Sequence, residues 1–305
     1  MSHPSLSKLL SALTLTLALP CAHAQTAIDE TRAISADARV EVHNLKGSIR
    51  IVGTSSSELR VSGELGDQAE LKAIGNDPDS VEVRVEYPNS SGWGWGGRGG
   101  DTSLVVEVPL GVQLDVSAVS ADIDISGISG EQLAAESVSG NIQVRDSGPE
   151  RLNLSTVSGS QTVETAAVKL QLESVSGEVS VQASRADQLG LETVSGAVDI
   201  VLAQPARDIR IETVSGSTSL RGGPSDGGSL RAETLSGRLR IELPAATSAR
   251  ITAESFSGRI RSAVGTVEKE EFGPGSSLSG ELGDGSARIQ VETFSGALEI
   301  LVDGR

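Results

Sequence analysis

Between Glu136 and Gly296 the chain returns nine times to nearly the same four residues, a Ser or Thr followed by Val, Leu or Phe and then Ser-Gly. The copies begin at Ser137, Thr156, Ser174, Thr193, Thr213, Thr234, Ser255, Ser277 and Thr293, and Ser117 to Ala121 is a degenerate forerunner. From Ala121 the steps to successive tetrad glycines are 19, 19, 18, 19, 20, 21, 21, 22 and 16 residues. A period of this length marks a stacked architecture in which each repeat contacts its neighbours. The last two steps together span 38 residues, twice 19, so Gly280 is expected in a distorted or inserted coil.

Aligned on the glycines, apolar residues alternate: Ile142 and Val144, Val179 and Val181, Val198 and Ile200, Leu239 and Ile241, Leu298 and Ile300. A period of two is a strand with one buried face, and on that parity the tetrad Val and Gly both point inward. A second pair lies upstream, as in Leu152 and Leu154 or Ile209 and Ile211, one residue out of parity with the tetrad. This places a corner or bulge at the Glu-Thr step. Each coil then comprises a strand of about three residues, a corner, a strand of about seven and a variable turn. Equivalent strands one coil apart pair in parallel at about 4.8 Å. The expected fold is therefore all-β, a parallel β-solenoid (β-helix) of 19–21-residue coils stacked in chain order.

Upstream, residues 25–112 keep the alternation with larger excursions and read as a hairpin-containing cap, leaving 113–305 as the repeats. Asn44-Leu45-Lys46-Gly47 is a variant tetrad. The strands around Val81 to Tyr87 and Ser103 to Val108 are joined by a Gly/Ser-rich loop from Pro88 to Thr102. Gln68 to Ala73 is the best local candidate for a helix, of a turn or two.

Residues 1–24 read as an export signal, with Lys8, an apolar run from Leu9 to Leu19 and a small-x-small site at Ala22-His23-Ala24. The run is too short to span a bilayer, and no second run of spanning length follows. Cys21 offers a rival, lipid attachment, to which Pro20 is a poor neighbour. Cleavage removes the single Cys and two of three His, which excludes disulfides, thiolate catalysis and any Cys/His metal cage. The remainder carries 24 basic against 41 acidic residues, a formal charge of −17, which repels nucleic acid and anionic lipid. A periplasmic, cell-surface or secreted protein is expected, without transmembrane segment or cofactor. Its 2% aromatic content suits a narrow interior filled by stacked Val, Ile and Leu.

The tetrad coils, the Asn44-Leu45-Lys46-Gly47 coil and the Phe272-Gly273-Pro274-Gly275 segment before the last coil resemble the bacterial "putative adhesin" family of exported β-strand-repeat proteins. That resemblance implies a β-solenoid at the cell envelope and brings no catalytic residues with it.

Three surfaces are candidate sites. Glu136, Glu173, Glu192, Glu212, Glu233, Glu254 and Glu292 each precede a tetrad, with Ser155 interrupting. Stacked one coil apart, neighbours repel by about 0.9 kcal/mol in water and about 3.5 kcal/mol at an effective dielectric near 20. A divalent cation held by Glu173, Glu192, Glu212 and Glu233, a basic partner, or nearby arginines such as Arg210 and Arg231 would offset this. Trp93 and Trp95, with Arg98 beside them, stand in a glycine-rich loop suited to stacking on a sugar or a partner surface, or to closing the rod's end. The tetrad hydroxyls could form regular files of the kind used in ice binding, or serve only as corner hydrogen bonds. The functional expectation is a non-enzymatic structural or adhesive module that contacts a surface glycan or envelope protein through the Trp loop or acidic face. Its rival is a carbohydrate-cleaving β-helix with a carboxylate pair, for which Asp115, Asp122 and Asp124 supply candidates.

Overall fold

The computed structural model describes residues 26–73, 77–87 and 100–303. These residues form an all-β structure without helices, and the 23 strands belong to one continuous hydrogen-bonded network. Gln68 to Ala73 contributes no helix; Glu70–Ala73 is instead a strand antiparallel to Ser80–Glu86. Its neighbour supplies backbone partners that an isolated helical turn lacks.

From residue 113 to residue 243 repeats stack in parallel and in sequence. Leu114, Leu133, Leu152, Leu170, Leu189, Ile209 and Leu230 are register partners in turn, one per rung. A second column runs Ile123, Ile142, Gln161, Val179, Val198, Thr218 and Leu239. The aliphatic members of both columns are at most 3% exposed. Like side chains therefore stack on like, and each is sealed by the rungs above and below. A rung is two strands of similar length, such as Arg151–Thr156 and Gln161–Thr165, not a short and a long one.

The corner lies one step later than the sequence parity places it. Leu154, Thr156, Gly159 and Gln161 are all buried, so the inward parity breaks between Thr156 and Gly159 and turns Val157 and Ser158 outward. Outside the tetrad of Gly280, where Leu278 is buried and Ser277 exposed, the tetrad Val, Leu or Phe is thus an exposed residue: Val157 is 46% and Leu235 53% exposed. The first residue of the tetrad takes the inward place, with Ser137, Thr156, Ser174, Thr193, Thr234, Ser255 and Thr293 all buried. At three of these rungs its hydroxyl turns back on the corner, accepting the glycine N–H from Gly140 to Ser137 at 2.9 Å, from Gly258 to Ser255 at 2.7 Å and from Gly296 to Thr293 at 3.0 Å. A buried hydroxyl is tolerable when bonded, and a valine there would leave that N–H without a partner.

Glycine ends the tetrad because successive corners touch through backbone. A Cβ on Gly159 would lie 1.9 Å from the carbonyl oxygen of Gly140, and one on Gly196 2.0 Å from that of Gly177 at a φ of +141°.

Both ends depart from chain order. At the beginning, the bent strand Arg39–Thr54 lies between Gln113–Ser126 on one side and the pair Ser80–Glu86 and Thr102–Pro109 on the other. That pair forms the two halves of the outermost rung and not a hairpin, since both strands run parallel to Arg39–Thr54. Antiparallel strands cover the edge: Glu58–Leu65 on Thr102–Pro109, and Thr26–Ala33 on Glu58–Leu65.

At the other end the last rung, Ala287–Thr293 and Ala297–Val302, inserts between Pro224–Leu243 and the rung of Ala249–Ser255 and Arg259–Ser262. Ser276–Leu282, which carries Gly280, caps Ala249–Ser255 in the antiparallel sense, and Thr266–Lys269 pairs on it in turn. The irregular spacing around Gly280 thus reflects an antiparallel cap followed by an inserted rung.

Gly159→Ala should lower stability by about 1–3 kcal/mol, the cost of forcing a methyl into packed backbone. Gly227→Asn, whose site has φ +71° and no atom within 4 Å of a Cβ, should stay within about 0.5 kcal/mol of the parent. Urea melts of the two variants measure the contrast. Deleting the chain from Ala287 onward should make residues 244–286 the first site of limited proteolysis, ahead of residues 113–243. Unchanged resistance would mean that Ala249–Ser255 re-pairs directly on Pro224–Leu243.

Candidate functional site

The outward turn of the tetrads builds a groove of about 980 Å³ along the second half of the stack. One side is the glutamate file, Glu173, Glu192, Glu212, Glu233, Glu292 and Glu254 in stacking order. Across from it stand Val157, Val175, Val194, Val214, Leu235, Phe294 and Phe256, and the tetrad Ser and Thr lie between the two rows. Glu270 and Ser276–Ser277 contribute at the capped end. The apolar row begins at Val138, outside the groove, and its exposures run from 42% to 59%. At about 4.8 Å per rung it extends about 34 Å. Its end is an aromatic pair, Phe256 and Phe294, stacked at 4.8 Å between centroids and 7° between planes. Those rings are 38 residues apart and meet only because the last rung is inserted.

The serine before the glycine staples this row in place at every rung except the cap strand that carries Ser279. Ser158 donates from its hydroxyl at 3.2 Å and from its N–H at 2.9 Å to the carbonyl of Val138 one rung back. Ser176, Ser195, Ser215 and Ser236 repeat the hydroxyl bond to Val157, Val175, Val194 and Val214. Ser295 bonds Leu235 and Ser257 bonds Phe294, following the interleaved order. These hydroxyls serve as corner hydrogen bonds, the role chain-local chemistry assigns to them.

The glutamates form a file and do not surround a point. Among the described residues no group of three or more His, Cys, Asp or Glu is arranged to hold a metal ion. Two arginines relieve part of the repulsion from positions two residues earlier on the same strand face: Arg210 bonds Glu212 at 2.6 Å and Arg231 bonds Glu233 at 2.5 Å. The hydrogen bond to Glu212, helped by the charges of Glu212, Glu233 and Glu192, holds the Arg210 guanidinium above its ordinary pKa. Arg231 also reaches Glu292 at 3.8 Å, and Gln290 donates to it at 2.9 Å. Among the described residues no salt bridge reaches Glu173, Glu192 or Glu254. Arg238, Arg240, Arg259 and Arg261 lie past the corner on the other strand of their rungs; Arg240 pairs with Glu299 at 3.3 Å.

Trp93, Trp95 and Arg98 fall outside the described residues. The flanks of that loop are nonetheless at the tetrad corner of the outermost rung. The Tyr87 hydroxyl is 2.7 Å from Thr102 Oγ1 and 3.2 Å from both Asn44 Oδ1 and the Lys46 carbonyl. Burial raises the Tyr87 pKa ahead of the other influences on it.

Two features were beyond pattern reading. One is the exposed apolar row, which strict alternation through the tetrad turns inward. The other brings residues 74 apart in sequence together: His43 Nδ1 is 2.6 Å from Ser117 Oγ, with Glu41 and Glu82 each 3.8 Å from Nε2. A Ser-His-acid set is the start of a nucleophilic site, but this one lies on a sheet face where register partners His43 and Ser117 commit their backbone to the ladder. Asp122, Asp124 and Asp115 are likewise taken up structurally, by Asn141, by Arg145 at 2.9 Å and by Arg39 at 3.9 Å.

A parallel ladder of near-identical corners bearing a continuous surface groove defines a β-strand-repeat protein. The chain belongs to the Toastrack DUF4097 family, whose model matches residues 38–301. No curated protein matches it. Among solved structures it is similar to a "putative adhesin" from Parabacteroides merdae ATCC 43184, at 13% identity over 90% of this chain and 96% of that one, with a TM-score of 0.49. It is also similar to a "putative adhesin" from Bacteroides fragilis NCTC 9343, at 10% identity, 92% and 99% coverage and a TM-score of 0.42. A "putative lipid binding protein" from Parabacteroides distasonis ATCC 8503 aligns at 12% identity, 90% and 96% coverage and a TM-score of 0.44. Among the described residues no helix is long and apolar enough to cross a membrane.

Thr293→Val, nearly isosteric, should destabilise the chain by about 1–3 kcal/mol because it orphans the Gly296 N–H, whereas Thr293→Ser should restore most of the loss. Chemical denaturation of the pair checks this.

Proposed function

We propose that this chain is an exported, non-enzymatic β-solenoid, with residues 1–24 as its signal, 25–112 as a capping region and 113–305 as the repeats. It works as a structural or adhesive module at the bacterial cell envelope, and the groove between the glutamate file and the apolar row is its contact surface. The observation that carries this reading is the apolar row itself. A continuous exposed strip of Val, Leu and Phe on a protein this acidic is the usual mark of an interaction face. Its carbonyls are stapled rung to rung, so the face is held rigid before any partner arrives, which limits the ordering that binding must pay for. The apolar start at Leu9 to Leu19 and the absence of cysteine beyond residue 24 support export.

Carbohydrate cleavage would need two carboxyl groups set apart by their surroundings into acid and base. The groove glutamates each stand one residue before the same corner and differ only in whether an arginine reaches them, as Arg210 reaches Glu212 and Arg231 reaches Glu233. All of them line an open surface strip, and none is enclosed in an apolar pocket of the kind that holds a general acid protonated.

The test is co-sedimentation of purified protein with isolated envelope material. A variant carrying Leu235→Ser, Phe256→Ser and Phe294→Ser should bind about tenfold or more weakly while still unfolding in one cooperative transition, its midpoint lowered only by the loss of three half-exposed side chains and the Phe256–Phe294 stack. Undiminished binding removes the groove from the reading. Loss on Trp93→Ala with Trp95→Ala, with the groove variant unaffected, moves the contact to the loop, and glycan turnover by the purified chain overturns the non-enzymatic assignment.

A further inference from the structure

Resting on the groove as contact surface, we infer that its occupant is a cationic amphipathic α-helix of a partner protein, lying along the stack with an apolar stripe on the Val-Leu-Phe row and a Lys/Arg stripe over the glutamates.

The two rows run parallel to the stacking axis, repeat at about 4.8 Å, and stand about 7 Å apart, two residues along each strand. A ligand must therefore present an apolar stripe and a cationic stripe side by side on one face. An extended segment does not, because successive side chains point to opposite faces and the same face recurs only about every 6.8 Å. A helix does: residues at i, i+3, i+4 and i+7 form one stripe, a second stripe adjoins it, and each turn advances about 5.4 Å. The mismatch of about 0.6 Å per rung amounts to about 2.4 Å after four turns, so a helix of about 15 residues stays in step with the groove.

Charge selects the sign. Glu173, Glu192 and Glu254 lack a salt bridge among the described residues, while Arg210 and Arg231 neutralise only the middle of the file. Lysines or arginines on the incoming helix would supply the missing countercharge. The same charge disfavours an anionic membrane, nucleic acid, or a second copy docking the same face. At the capped end the Phe256–Phe294 stack offers a flat aromatic anchor where an apolar partner side chain would count most.

The probe is an 18-residue synthetic peptide of Leu and Lys placed at helical spacing, titrated calorimetrically into the full chain beside a peptide of the same composition with Leu and Lys strictly alternating. The helical peptide should bind, gain helical circular dichroism on binding and weaken with added salt. Glu192→Gln with Glu233→Gln should weaken it about tenfold, as should Leu235→Ser with Phe294→Ser. Equal binding of the alternating peptide, or no change in either variant, overturns the inference. If the helical peptide fails while the Ser variants still abolish envelope binding, the groove stands and its occupant is of another class. If envelope binding is also indifferent to those variants, the groove itself is the wrong surface.

Discussion

The structure depends on how closely successive corners approach. At Gly140, Gly159, Gly177, Gly196 and Gly216 each corner packs against the backbone of the one before, at distances no side chain could share. The inward Ser or Thr closes the turn from inside and the outward Ser fastens it to the preceding rung. Three of the four tetrad residues thus serve the corner. Only the second is free of that duty, and its side chain is turned to solvent.

Structure and candidate function share this origin. Because corners stack in register, whatever the second position carries becomes a continuous row, and whatever precedes the tetrad becomes a file. Valine and glutamate would be unremarked as single surface residues. Repeated at about 4.8 Å they make a strip that no single rung contains.

The ends obey a different constraint. A parallel stack left in simple order would expose two edges ready to pair with another chain. Here a rung is inserted at each end, and antiparallel strands cover the outermost partners. The short edge strand Arg259–Ser262 keeps arginines on its outer face, which further discourages pairing. Insertion of Ala297–Val302 also brings Phe294 beside Phe256, so closure of the end shapes the groove.

By itself the sequence determined the repeat, the parallel register and the stacked aliphatic columns, because period and alternation are local properties that leave few ways to bury Leu152, Leu170 and Leu189. It also marked the glutamate file, whose members recur at one offset from the glycine. Tertiary structure decided which side of the corner the tetrad valine takes: alternation across a bend cannot be read without knowing where the parity breaks, and the break falls where the glycine backbone packs on the corner one rung back. It decided, too, the order of the rungs at the ends. Near-identical corners are interchangeable partners locally, so their order is fixed only by how the remaining chain covers the open edges.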